Sequence, residues 1–229
     1  MYLASIQQQS VGRTTRNRRA NKFDPPGPPK AELQGNSRVS QNEQATAYHE
    51  AGHAFADWHF NFRVKRASIV ANQKGNSAGH VLTKTGLPFR SLEYTSPSGA
   101  RIGRFHEHVV SLLAGQAAQQ HYRRSSVRSY HAASDRNAIA DILSTLHSTS
   151  ELPHVIRYLD AKARNLIECP MHWFVIQHLA AELLRRKTMT GEEVETTIRE
   201  GFDLHMRSRL AQRHNKSQPK RQGKNTHER

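Results

Sequence analysis

The segment ATAYHEAGHAFADWHF, from Ala45 to Phe60, sets His49 and His53 four residues apart, with Glu50 directly after the first. On a helix, residues i and i+4 share a face, so two imidazoles can aim at one ion. Zinc accepts imidazole nitrogen readily and, in catalytic sites, keeps a position open for water. Glu50 can lie beside such an ion rather than on it, and take a proton from the activated water. This is the chemistry of a metal-dependent peptidase. The competing reading is coincidence, because the chain holds fifteen histidines.

The chemistry requires a helix, and the pattern supplies one. Ala47, Ala51, Ala54, Phe55 and Trp58 recur at spacings of three and four. Gly52 is the odd residue, since a glycine inside a helix costs about 1 kcal/mol relative to alanine. Its place predicts a close neighbour, either a strand or a substrate backbone.

Two histidines do not complete a catalytic zinc site, and several third ligands are open. Asp57 shares the histidine face but stands about 12 Å along the axis from His49. It reads as a supporting or surface residue. The RFHEHVV stretch offers His106, Glu107 and His108, but His106 and His108 do not share a helix face. Asp135 stands at a loop-to-helix junction, where backbone N–H groups can fix a carboxylate. An ordinary acid at a helix N-terminus would look the same.

The remaining elements read as mostly helical. Val64–Ala71 and Ala78–Lys84 are strand candidates around a KGNS turn, which makes a small β-hairpin. After TSPSG, the spacing of Ile102, Phe105, Val109, Leu112, Leu113 and Ala117 predicts a long helix. A polar loop follows. Ser134 is expected to cap a helix over DRNAIADILSTLH. Helices are expected over 152–167 and 171–186, separated at Pro170, and a Thr190-x-x-Glu193 capping box opens the last one. The predicted fold class is mainly α, with a small sheet beside the histidine helix.

Lys and Arg number 34 against 19 Asp and Glu, for a net charge of +15, and only 36% of residues are hydrophobic. That balance predicts disordered basic tails around one domain. Residues 1–40, broken by DPPGPP, read as an N-terminal arm, residues 41–206 as the domain, and residues 207–229 as a C-terminal tail. Cys169 is the only cysteine, which excludes an internal disulfide and a cysteine-based zinc site and fits a reducing compartment. No apolar run is long enough to span a membrane, and the N-terminus lacks the apolar core of a secretory signal. It is Arg-rich and acid-poor, as organelle transit peptides are, but a plain basic tail is the simpler reading. A cytoplasmic location is expected. The basic stretches RTTRNRR (13–19) and KSQPKRQGK (216–224) carry a second function class: a weak or inactive peptidase-like scaffold that binds nucleic acid or another polyanion. No nucleic-acid-binding fold signature accompanies them.

The segment AYHEAGHAF resembles the zinc helix of the FtsH-like ATP-dependent metalloproteases, in the Ala-Gly between Glu50 and His53 as well as in the ligands. Three further stretches match that family in order. VVSLLAGQAAQQHY resembles its Leu-x-Gly-x-Ala-Ala-Glu helix. AASDRNAIADIL resembles the segment with its third ligand, an aspartate, and LAAELLRRKTMTGEEVETTI resembles its closing helices. The resemblance covers about residues 43–200. It implies a mainly helical peptidase domain that binds Zn2+ through His49, His53 and Asp135, with Glu50 as general base. It also implies that the strand AGHVLTK lies beside the zinc and can take substrate as an added strand.

Departures from the family accompany the matches. Gln119 stands where the family helix has an acid, and HAASD replaces Gly-Ala-Ser-Asn-Asp. No Gly-x-x-x-x-Gly-Lys-[Ser/Thr] loop occurs, so a stand-alone peptidase acting on flexible proteins or peptides is expected, with a separate ATPase or a homo-oligomeric ring as candidate partners. His80 and His131 can sit near the cleft but read as surface histidines.

Overall fold

The computed structural model describes residues 40–71, 79–87, 98–126 and 133–217. The N-terminal arm, the KGNS turn, His131 and the chain beyond 217 lie outside these residues. Helix α1 spans Gln41–His59. Ser40 caps it, its hydroxyl accepting from the Glu43 N–H at 3.1 Å. At the other end Asn61 adopts φ 56°, a left-handed conformation that asparagine tolerates, and turns the chain into the sheet.

The sheet is antiparallel, with strand order β2-β1-β3. Strand β1 is Arg63–Ser68, β2 is His80–Lys84 and β3 is Thr188–Thr190. Ser68 faces His80 and Thr188 in register, Arg66 faces Leu82 and Thr190, and Arg63 faces Lys84. An irregularity between Val64 and Arg66 sets Lys65 out of the ladder. The expected hairpin is present, but β3 adds a strand that the sequence pattern does not announce. Three residues are too few for a period-two signal. Lys187 makes the strand possible. It leaves the preceding helix at φ 65°, and its carbonyl accepts from the Ile69 N–H at 2.9 Å.

The other helices are α2 (Gly99–Tyr122), α3 (Ala133–Leu146), α4 (Leu152–Glu168), α5 (Pro170–Arg186) and α6 (Gly191–Ser217). Cys169 separates α4 from α5, and Pro170 occupies the first position of α5, where its missing N–H costs nothing. The capping box of α6 is reciprocal. Glu193 N–H bonds Thr190 Oγ1 at 3.3 Å, and Thr190 N–H bonds Glu193 Oε2 at 2.7 Å. Two expectations are corrected. Ser134 lies inside the first turn of α3 rather than capping it, because the helix begins at Ala133. The C-terminal tail does not begin at 207, since α6 runs unbroken to Ser217. Extending a packed helix needs no new nucleus, so a polar stretch can continue it without an apolar face. Among the described residues no helix is long and apolar enough to cross a membrane.

Two cores hold the elements. The first joins α1, α5, α6 and the sheet, with Phe55, Ile176, Leu179, Leu183, Met189 and Ile198 fully buried. The second joins α2, α3 and α4 through Phe105, Val109, Leu143, Leu159 and Ala163. Helix α1 is buried on nearly every side from His49 to Asp57. Helix α3 reaches the second core through Ile139, Ile142 and Leu143, and that contact fixes where Asp135 stands. Leu143→Ala should lower unfolding free energy by about 2–5 kcal/mol, the usual cost of emptying a fully buried leucine site. Chemical denaturation measures this directly, and an unchanged midpoint would contradict the packing described.

Candidate metal centre

His49 and His53 project from one face of α1, and their Nε2 atoms lie 3.0 Å apart. Asp135, in the first turn of α3, brings Oδ2 to 3.5 Å from His49 Nε2 and 3.4 Å from His53 Nε2. These are the only described side chains that form a group of three possible metal ligands. Zinc holds nitrogen and oxygen ligands at about 2.0–2.2 Å, which sets tetrahedral neighbours about 3.3–3.5 Å apart. The two sides to Asp135 meet that requirement, and the side between the imidazole nitrogens, at 3.0 Å, is a few tenths of an ångström shorter. Both histidines are buried, while the Asp135 side chain is 21% exposed. The site is therefore walled by protein on the histidine side and reached from the aspartate side.

A partner fixes each imidazole. His53 Nδ1–H donates to the Ser111 carbonyl at 2.9 Å, and His49 Nδ1–H donates to Gln119 Oε1 at 3.1 Å. Gln119 is itself oriented, because its Nε2 donates to the Ser126 carbonyl at 3.0 Å. Each bond places the proton on Nδ1 and leaves the Nε2 lone pair for an ion, as metal-binding histidines require. Asp57 accepts from Ser111 Oγ and from Thr83 Oγ1, each at 2.5 Å. It is buried, so the surface reading fails. The distance argument that excluded it as a ligand stands, and it instead ties α1 to α2 and to β2.

The electrostatics suit a cation. Burial alone pushes His53 down, but Asp135, Glu50 and the Ser111 carbonyl outweigh it and leave its pKa raised to about 10. Burial pushes Asp135 up, yet His53 and His49 hold its carboxyl far below the usual range. Both directions report a point that favours positive charge. Glu50 is buried beside them. Burial raises its pKa, the two imidazoles lower it, Asp135 raises it again, and the net shift is upward.

Three glycines make room for this arrangement. A Cβ on Gly52 would lie 2.6 Å from the Ala114 carbonyl oxygen and 2.7 Å from Ala118 Cβ. The close neighbour expected at Gly52 is thus helix α2, not a strand or a substrate. A Cβ on Gly115 would stand on the His53 ring, and one on Gly79 would lie 2.7 Å from Glu50 Oε1. Gly79 immediately precedes β2, so the Glu50 carboxylate rests against the head of that strand.

The structure brings His49, His53, Asp135 and Glu50 together and leaves the other candidates outside. His106 Nε2 meets His147 Nε2 at 2.8 Å, on the side of α2 that faces the end of α3. Glu107 bonds Arg104, and His108 sets its ring edge-on to Phe62. His80 lies at the start of β2, in register with Ser68 and next to Gly79, and is half-buried with its Nδ1 out of solvent rather than a surface histidine. Sequence reasoning missed Ser111, Gly115 and Gly79, and saw Gln119 only as a departure from a pattern. A stripe of small residues, Ala114, Gly115 and Ala118, carried the signal that α2 packs closely on Gly52. No known family model matches the chain, and no curated protein matches it in sequence.

Gln119→Ala should weaken metal affinity about 10–100-fold, the usual effect of losing a partner behind a ligating histidine. Competition with a calibrated chelator reads this. Gly115→Ala places a methyl group on His53, so metal occupancy after dialysis should fall well below that of the unaltered protein, with helical content kept in circular dichroism.

Proposed function

We propose that the chain is a zinc metalloendopeptidase. The observation that carries this reading is the placement of Glu50. It is buried, borders the three-ligand group and touches Gly79 at the head of β2. A carboxylate in that position is suited to proton transfer at a bond lying between the ligand triangle and the strand. Two imidazoles and one carboxylate form a donor set typical of catalytic zinc. When bound there, zinc supplies Lewis acidity and lowers the pKa of a coordinated water to about 7.

The residues of the chain do the rest. Glu50 takes a proton from the attacking water and delivers it to the leaving amine. Its raised pKa suits a group that must hold that proton between the two events. Substrate binds as an extended segment along β2, which has β1 on one side and no strand on the other among the described residues. Backbone hydrogen bonds give such a segment affinity without demanding a particular sequence. The packed elements of a folded protein have their backbone hydrogen bonds already made and cannot add as a strand. The substrates are flexible chains or peptides, or cargo that a separate ATPase has unfolded, and assembly into a homo-oligomeric ring belongs to the same proposal. The likeness of the four sequence stretches to FtsH-like peptidases supports the reading.

Metal content and casein cleavage test it, measured on the unaltered protein and on Glu50→Gln. Both should hold about one zinc per chain, as one three-ligand group provides. The variant should lose a factor of about 100 or more in rate, as removing a general base does. Chelation should abolish cleavage and added zinc restore it. Zinc in both proteins with cleavage in neither, even of unstructured peptides, would overturn the proposal.

A further inference from the structure

The three strands RVKRAS, HVLTK and TMT contain four lysines and arginines and no acid between them. Alternation assigns them to faces. Val81 packs on the first core, and Thr83 bonds Asp57 of α1, so these two point inward. His80, Leu82 and Lys84 therefore share the opposite face. The register carries that face onto β1, where Arg66 lies opposite Leu82 and Arg63 opposite Lys84, and Lys65 is displaced at the irregularity beside them. Arg63, Lys65, Arg66, Leu82 and Lys84 are all exposed, and Leu82 is 50% exposed. None of the four cations forms an ion pair among the described residues, whereas Arg104, Arg164, Arg185, Arg186, Lys187 and Arg199 each hold a carboxylate. Among the described residues the face is a positive field with no acid paired to it and with Leu82 inside it.

We infer that this face selects extended polypeptide segments in which an acidic residue and an apolar residue alternate along one side. The inference rests on the peptidase reading and names its substrate class. A strand added to the edge of β2 lies about 4.8 Å away, and every second side chain points to the outward face. There it meets Leu82 and Lys84 in turn. An acid opposite Lys84 makes a cross-strand charge pair, and an apolar residue opposite Leu82 covers that side chain. Arg63 and Arg66 stand one strand further in, about 10 Å from the added strand and thus within about one Debye length. They reinforce the preference for negative charge. Glu50 marks the Gly79 end of the strand. At about 3.3 Å per residue the apolar position falls some two to three residues from the scissile bond and the acidic position some four to five.

The basic termini attract any polyanion, so the test must depend on pattern and not on net charge. Two labelled, unstructured peptides of identical composition serve. In one, glutamate and leucine alternate two residues apart. In the other, the same residues are grouped by type. Fluorescence anisotropy on full-length Glu50→Gln protein, loaded with zinc, should show the alternating peptide binding about fivefold to tenfold tighter, as the charge pair at Lys84 and the apolar pair at Leu82 together provide. Adding Arg66→Glu and Lys84→Glu should erase that difference or invert it in favour of a lysine-leucine peptide. Equal affinity for the two patterns would overturn the inference, even with cleavage intact. A single-stranded oligonucleotide that binds tighter than either peptide, and is lost in the Arg66→Glu/Lys84→Glu protein, would overturn it in favour of a nucleic-acid surface. Patterned binding without cleavage by the unaltered protein would keep the surface and remove the peptidase reading.

Discussion

The approach of α1 to α2 at Gly52 is the constraint on which the site depends. With no Cβ at Gly52, the two backbones come close enough for the Ala114 carbonyl and the Ala118 methyl group to occupy the space a side chain would take. The bonds that orient the centre cross this one contact: His49 to Gln119, His53 to the Ser111 carbonyl, and Asp57 to the Ser111 hydroxyl. Tyr122 to Gln44 closes the same seam further out. Hydrogen bonds fail beyond a few tenths of an ångström of stretch, so a wider helix spacing would release all of them together. The helix-propensity cost of Gly52, about 1 kcal/mol, is small against a set of buried bonds worth about that much each.

Burial and charge are divided between the two sides of α1. Toward the sheet, α5 and α6, it is packed with alanine, Phe55 and Trp58. Toward α2 and α3 it turns His49, His53 and Asp57, every one of which finds a partner. A helix buried on nearly all sides would ordinarily be apolar throughout. Here His49, His53 and Asp57 are tolerated because each is bonded, whereas Glu50 carries its desolvation as a raised pKa.

Much of this was legible in the sequence, and the limits have physical causes. The spacing of His49 and His53 within an amphipathic pattern gave the ligand helix, because both signals are local and share the helical period. The Thr190–Glu193 box is equally local. Asp135 could not be told from an ordinary first-turn acid until α3 was seated on α2, since its role is a matter of tertiary position. The choice between a supporting and a surface Asp57 stayed open for the same reason: one turn along the helix is visible, but Ser111 and Thr83, which reach it from elsewhere in the chain and make it a supporting residue, are not. Gly115 and Gly79 matter only through what their missing side chains would strike. The strand Thr188–Thr190 is too short to alternate visibly, and the second half of α6 is polar enough to resemble a tail. The resemblance that singled out Asp135 pointed to the residue the geometry assembles, while the chemistry it implies stands as the proposal above.

The two cores give the centre a further character. His49 and His53 belong to a helix embedded in the first core, whereas Asp135 rides on a helix held by the second. An ion bound by all three is a cross-link between distant parts of the chain, in a protein whose single cysteine permits no internal covalent one. A disulfide acts by restricting the unfolded ensemble, whereas such a clasp acts by binding the folded state. Unlike a disulfide, its strength rises with the logarithm of the free ion concentration. The supply of metal would then govern how firmly the molecule is held shut, as well as whether it can act.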